Sequence, residues 1–190
     1  MSSTQTEQTS SRLKREDWLK HALESLRREG VSGLRVEPLA RSLGVTTGSF
    51  YWHFKDRQDL LDSLLDHWTE KMTRAVARRM TSEEEPEEQL RLLVEEVAVE
   101  EWSRYEIAIR NWATFDSHAR RSTRKVDECR LGYVTGLFLQ LGFDQDDAEM
   151  RARTLLFCNL GEAAFSIRES SDKRLETARR QLAILTADCI

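Results

Sequence analysis

Residues 36–54 read VEPLARSLGVTTGSFYWHF, and this stretch decides how the chain is organised. Val36 to Leu43 predicts a short helix, with Pro38 tolerated because N–H groups in the first turn have no helical partner. Gly44 ends it. After Val45, Thr46 is a good N-cap for a second short helix through Phe50 and Tyr51, which Lys55-Asp56 interrupts. Leu39, Ala40, Leu43, Val45 and Phe50 are placed to pack the two helices together, the geometry of a helix-turn-helix. Such a unit projects its second helix into the major groove of duplex DNA, where every base pair shows a distinct pattern of donors and acceptors.

The second helix displays Thr46, Thr47, Gly48 and Ser49 at its start, then Tyr51, Trp52 and His53, then Lys55 and Arg57. Small hydroxyl residues permit close approach, a helix N-terminus attracts phosphate, and Tyr, His, Lys and Arg can hydrogen-bond phosphate oxygens. Phe50 and Phe54 are expected in the core of the small head; Trp52 fits either the core or the DNA face. Upstream, Trp18, Leu19, Ala22, Leu23 and Leu26 recur on one helical face, with Gly30 where a stop is expected. Downstream, Asp56 with Asp59 opens a long amphipathic helix carrying Leu60, Leu61, Leu64, Leu65, Trp68, Met72, Val76 and Met80. Unbroken from Arg57 to Met80 it is roughly 36 Å long, enough to reach from one packed unit into the next.

The run from Gly44 to Arg57, GVTTGSFYWHFKDR, followed by Leu60-Leu61, resembles the DNA-binding signature of the TetR family of transcriptional regulators, and the likeness covers Arg12 to Met72. The resemblance implies base-reading positions at Thr47, Gly48 and Ser49, contact with the sugar-phosphate backbone at Tyr51, Trp52 and His53, and a phosphate-binding cation at Arg57. Val36 and Glu37 depart from the family pattern: they remove a hydroxyl and put a negative charge near DNA, with Arg35 or Arg41 as the available substitutes. Arg12, Lys14 and Arg15 are either a solvated cluster or a basic arm for an adjacent groove.

Net charge is −4, yet it is unevenly divided. Ser11 to Arg57 holds ten Lys and Arg against six Asp and Glu, whereas Gln58 to Ile190 holds 19 against 26. A basic head on an acidic body keeps nucleic acid open as a partner. The chain has no apolar run of about 18 residues, and Met1 to Ser11, rich in Ser, Thr and Gln, has neither cation nor apolar stretch. A disordered tail over 1–11, no membrane partner and a cytoplasmic location are expected. Cys129, Cys158 and Cys189 match no C-x-x-C spacing and are expected to be reduced thiols. Cys129, flanked by charges, is the candidate if the protein senses oxidation.

About five further helices are expected, over 87–101, 104–115, 119–141, 145–168 and 173–187, started by residues such as Asp116 and Asp144 and broken at Gly142 and Ser170-Ser171-Asp172. The fold is therefore all-α: a three-helix DNA-binding head over 12–57, joined by the long helix to a ligand-binding and dimerisation domain over 58–190. Trp68, Met72, Trp102, Tyr105, Ile109, Trp112, Phe115 and Phe157 are candidates for an effector cavity, although core packing accounts for each singly. A cationic guest would suit aromatic faces with Glu95, Glu96, Glu100, Glu101 and Glu106, acids that a solvated face also explains. Ala152, Leu156, Leu160, Ala163, Leu175 and Leu182 lie on the last two helices, which the resemblance places in a four-helix bundle between two copies on a pseudo-palindromic operator. The expected function is a repressor released by an unidentified small molecule. His21, His53, His67 and His118 are scattered and no catalytic or nucleotide-binding motif occurs, so no enzyme activity, cofactor or metal is expected.

Overall fold

The computed structural model describes residues 13–81, 84–99, 102–164 and 169–187, with backbone alone for 102–104 and 162–164. The expected tail over 1–11 and Cys189 lie outside the described residues, as do the side chains of Trp102 and Ala163. Among the described residues the chain forms nine helices and no strand: α1 (Arg15–Gly33), α2 (Val36–Ser42), α3 (Thr47–Tyr51), α4 (Arg57–Met80), α5 (Pro86–Val99), α6 (Trp102–Ala113), α7 (Ser117–Gln140), α8 (Gln145–Ala164) and α9 (Ser171–Thr186).

The boundaries follow from local chemistry. In α1 the residues expected on one face, Trp18, Leu19, Ala22, Leu23 and Leu26, are all buried, and the regular helix breaks at Gly30, where φ is 68°. Gly44 sits at φ 69°. There the Val45 N–H donates to the Ala40 carbonyl at 3.0 Å and the Gly44 N–H to the Arg41 carbonyl at 3.1 Å, a Schellman stop that needs a left-handed residue at Gly44. Asp56 caps α4 by accepting from the Asp59 N–H at 2.9 Å, and the Asp59 carboxylate accepts in return from the Lys55 N–H at 2.8 Å. Asp116 and Asp144 start α7 and α8 in the same way, accepting from Ala119 and Asp147. Helix α6 stops at Ala113, before the expected 115, because Asp116 already begins the next helix and residues 114 and 115 form the turn.

Two apolar clusters make the core. The first joins Trp18, Leu26, Leu39, Phe50 and Phe54 of the head to Leu60, Leu64, Leu65, Trp68 and Met72 of α4, and on to Ile109, Trp112 and Val126. The second gathers Val76, Leu90, Val94, Val134, Phe138, Ala152, Leu155 and Leu182. Helix α4 supplies both, so the head rests on the same apolar stripe that enters the body. Each such side chain, fully buried, contributes about 1.5–3 kcal/mol.

Arg57, the first residue of α4, fastens this junction. Its Nε donates to the Leu34 carbonyl at 2.5 Å and its Nη2 to the Val31 carbonyl at 2.6 Å, the latter also accepting from the Leu34 N–H at 3.3 Å, so a charged group closes the end of α1. Arg15 closes the opposite side, donating to Ser63 Oγ at 2.5 Å with its guanidinium carbon 4.9 Å from the centre of the Phe54 ring. Arg57→Ala is expected to destabilise the fold by about 2–4 kcal/mol through two lost charge-assisted bonds. The denaturant midpoint measures this, and a midpoint within error of the parent would contradict the assignment.

Candidate functional site

The aromatic run of the helix-turn-helix divides by burial. Phe50 and Phe54 are buried, and Phe50 meets Trp18 edge-on at 5.5 Å and Phe54 at 5.2 Å. Anchored by Phe50, α3 ends with two large side chains turned outward: Tyr51 is 61% exposed and Trp52, the residue after it, 78% exposed. Trp52, for which the sequence allows either place, is on the surface. Thr46, Thr47, Gly48 and Lys55 are exposed, while Ser49 and His53 are half-buried. Thr46 occupies the N-cap position with extended backbone, but its side chain makes no capping bond. The His53 ring lies 6.4 Å from that of Trp18.

Arg57 stands apart from the other expected DNA-contacting residues. Half-buried, it spends two donors on the end of α1, so its guanidinium is part of the frame that holds the head. Nothing local in the sequence signals this, because the acceptors lie 23 and 26 residues away. Arg15, a candidate for the basic arm, is likewise folded against Phe54 and Ser63. Glu37, Arg35 and Arg41 are exposed on the flank of α2.

The body holds a cavity of about 620 Å³ between α4, α5, α6, α7 and α8. Of the residues expected to line it, Met72 and Phe157 do so. The others are elsewhere: Trp68, Ile109 and Trp112 are buried in the first apolar cluster, Phe115 is exposed in the turn after α6, and Tyr105 reaches to the head. The wall is instead built from Val76, Leu93, Val134, Leu156 and Leu160 together with arginines and acids. Glu106, 4% exposed, accepts from Arg110 and Arg130, and Arg110 also binds both oxygens of Asp127. Burial works against the Arg110 charge, but the bond to Asp127 and the attraction of Glu106 outweigh it and raise its pKa. Of the other expected acids, Glu96 pairs with Arg79 and Glu95 with Arg91 and Arg179, while Glu100 and Glu101 lie outside the described residues.

Away from the apolar stripe, one polar contact joins α6 to α1 of the head and another joins α7 to α4. The Tyr105 hydroxyl on α6 donates to Glu24 Oε2 on α1 at 3.0 Å, and His118 Nδ1 at the start of α7 is 3.0 Å from Asp62 Oδ1 on α4. The Glu24 carboxyl is held below the usual range by Arg27 and then by Tyr105, with burial opposing them. On α8 and α9, Ala152 and Leu182 are turned into the protomer's own core, so these two side chains are not available to a second copy. Leu156, Leu160 and Leu175 are half-buried, and the apolar groups that face outward are Met150, Phe157 and Ile184. Cys129 and Cys158 are half-buried thiols. Among the described residues no helix is long and apolar enough to cross a membrane.

Residues 19–64 match the family described as bacterial regulatory proteins, tetR family. The chain is 43% identical over 54 residues to tetracycline repressor protein class D of Escherichia coli, which is 28% of this chain and 25% of that protein. It is 42% identical over 43 residues to the HTH-type transcriptional regulator AcrR of Shigella flexneri, 23% of this chain and 20% of that one. These matches thus span about a quarter or less of the relatives' length. Nearly the whole fold is shared with a TetR transcription regulator from Haloarcula marismortui, at a TM-score of 0.70 and 23% identity over 90% of this chain and 95% of the other. It is shared also with a protein of Saccharomonospora viridis solved in complex with choline, at a TM-score of 0.75 and 17% identity over 89% and 95%.

The division of the aromatics by burial has a direct consequence for stability. Tyr51→Ala, which loses the edge-on contact with Phe50 at 5.3 Å, and Trp52→Ala are expected to cost no more than about 1.5 kcal/mol. Phe50→Ala should cost about 3–5 kcal/mol. Chemical denaturation of the three variants checks this, and a large loss at Trp52 would mean that its ring is packed.

Proposed function

Because residues 19–64 match the tetR family of bacterial regulatory proteins, we propose that the chain is a sequence-specific DNA-binding transcriptional regulator, a repressor released from its operator when a small molecule enters the body cavity. The observation that carries this is the outward face of α3. Tyr51 and Trp52, large and exposed, stand beside Thr46, Thr47 and Gly48 on a helix fastened from behind by Phe50. A solvated surface has no use for two such rings side by side, whereas a duplex offers thymine methyls and sugar carbons to them and phosphate oxygens to the Tyr51 hydroxyl. Lys55 and His53 extend the same face, and Arg57 serves it by fixing the entry into α4.

In this account residues 12–57 are the DNA-binding head and residues 58–190 the effector-binding and dimerisation body of a cytoplasmic protein. Two copies meet through the outer faces of α8 and α9, where Met150 and Ile184 are exposed and Leu175 can contribute its edge, while Leu156, Phe157 and Leu160 border the cavity. A two-fold pair presents two heads to a pseudo-palindromic operator. An effector acts by changing how α4 sits: the Tyr105–Glu24 contact carries a displacement of α6 to the head, and the His118–Asp62 contact carries one of α7 to α4. The choline held by the Saccharomonospora viridis protein does not carry over to this cavity, because the buried Glu106 is already taken by two guanidiniums.

A gel-shift on the DNA immediately upstream of the protein's own gene tests the proposal. The parent is expected to retard it, and Tyr51→Ala and Trp52→Ala to lower affinity by about tenfold at fixed salt while helicity and oligomeric size stay the same. Unchanged affinity in both variants would overturn the assignment of α3 as the reading helix.

A further inference from the structure

We infer that the ligand of the body cavity is an amphipathic carboxylate, its anionic end at the guanidinium of Arg130 and its alkyl or aryl part along Met72, Val76, Val134 and Leu156. This rests on the cavity being the effector site. At about 620 Å³ it has the size of a small-molecule pocket, and its apolar wall from α4, α7 and α8 suits a hydrocarbon.

The charges select the headgroup. Glu106 is the buried carboxylate of the wall, and it is saturated: Oε1 accepts from Arg110 Nε at 3.1 Å, Arg110 Nη2 at 2.6 Å and Arg130 Nη1 at 2.8 Å, and Oε2 accepts from Arg130 Nη1 at 2.9 Å. A cationic guest would have to displace a guanidinium from Glu106 and then lie against both arginines. Arg110 is fully engaged, with Asp127 on its other edge. Arg130 is not. Its Nη2 points to the Met72 Sδ at 3.3 Å, and a thioether is a weak acceptor for a half-buried cation. A carboxylate at that spot replaces the poorest hydrogen bond of the wall with a charge-assisted one. Among the described lining residues arginines number six against four carboxylates, and with Arg153 paired to Glu149 outside the wall an excess of one positive charge remains.

The same geometry makes such a ligand felt by the head. Met72 belongs to α4, and its sulfur is what an incoming carboxylate must push off Arg130 Nη2. The displaced side chain lies at the lower edge of the apolar cluster that continues through Trp68 and Leu65 to Phe54 and Phe50.

Isothermal titration of the full chain without DNA, using decanoate, decanol and decyltrimethylammonium below their micellar concentrations, tests the inference. Decanoate is expected to bind at least about tenfold more tightly than either of the others. Arg130→Gln should bring decanoate down to the level of decanol while leaving decanol unchanged, which shows that the cavity is still formed. Equal or tighter binding of the ammonium, a decanoate preference that survives Arg130→Gln, or binding of none of the three would overturn it. The comparison of the three probes on the parent needs no variant to fold. A carboxylate that binds through Arg130 yet never changes operator retardation counts against release by this ligand and leaves the headgroup assignment standing; release by the ammonium alone does the reverse.

Discussion

Burial of one continuous apolar stripe along α4 is the interaction on which the rest of the molecule depends. Leu60, Leu61, Leu64, Leu65, Trp68 and Met72 bind the head, α6 and the start of α7 to a single cluster, and one turn further on Val76 enters the cluster of the body. A three-helix head of this size has too little core to be rigid alone. It gains rigidity by sharing α4, and the sharing makes its orientation a function of how α4 lies in the body. Asp56 and Arg57 set the starting point: the first caps the helix and the second ties that turn to the end of α1.

Features governed by neighbours in sequence were legible from the residues. The helix-turn-helix rests on Gly44, where a left-handed residue closes a Schellman stop, and on the 3.6-residue spacing that buries Leu39, Ala40 and Phe50. The starts of α4, α7 and α8 were visible because Asp56, Asp116 and Asp144 cap through bonds to the third residue beyond. Periodicity says that a face is buried but not against what. Trp68, Ile109 and Trp112 therefore read as well for a cavity as for the cluster under the head that they occupy, and Ala152 and Leu182 as well for a dimer contact as for the protomer's own core. The cavity wall was hidden for the complementary reason: Arg110, Arg130 and Glu106 look like a solvated helix face until α6 and α7 bring them together.

The arginines of this chain show how little residue type alone decides. Arg57 stands where a free cation would meet phosphate, yet it completes the backbone of α1, and Arg15 lies over Phe54. Arg110 and Arg130 turn inward and share the buried Glu106 in the cavity wall. A guanidinium can do all of this because it keeps its charge when partly buried and carries five donors in a fixed plane. The acidic balance of the whole chain thus coexists with a head in which ten Lys and Arg face six Asp and Glu, since charge acts where it is placed.

Selection of bound duplexes from a random DNA pool by the full-length protein tests the central claim most directly, because it presupposes neither the operator nor the ligand. The account predicts enrichment of an inverted repeat whose half-sites are spaced by about one helical turn or a multiple of it, one half-site for each α3 of a two-fold pair. A pool that stays random, or one enriched in a motif without two-fold symmetry, would contradict it.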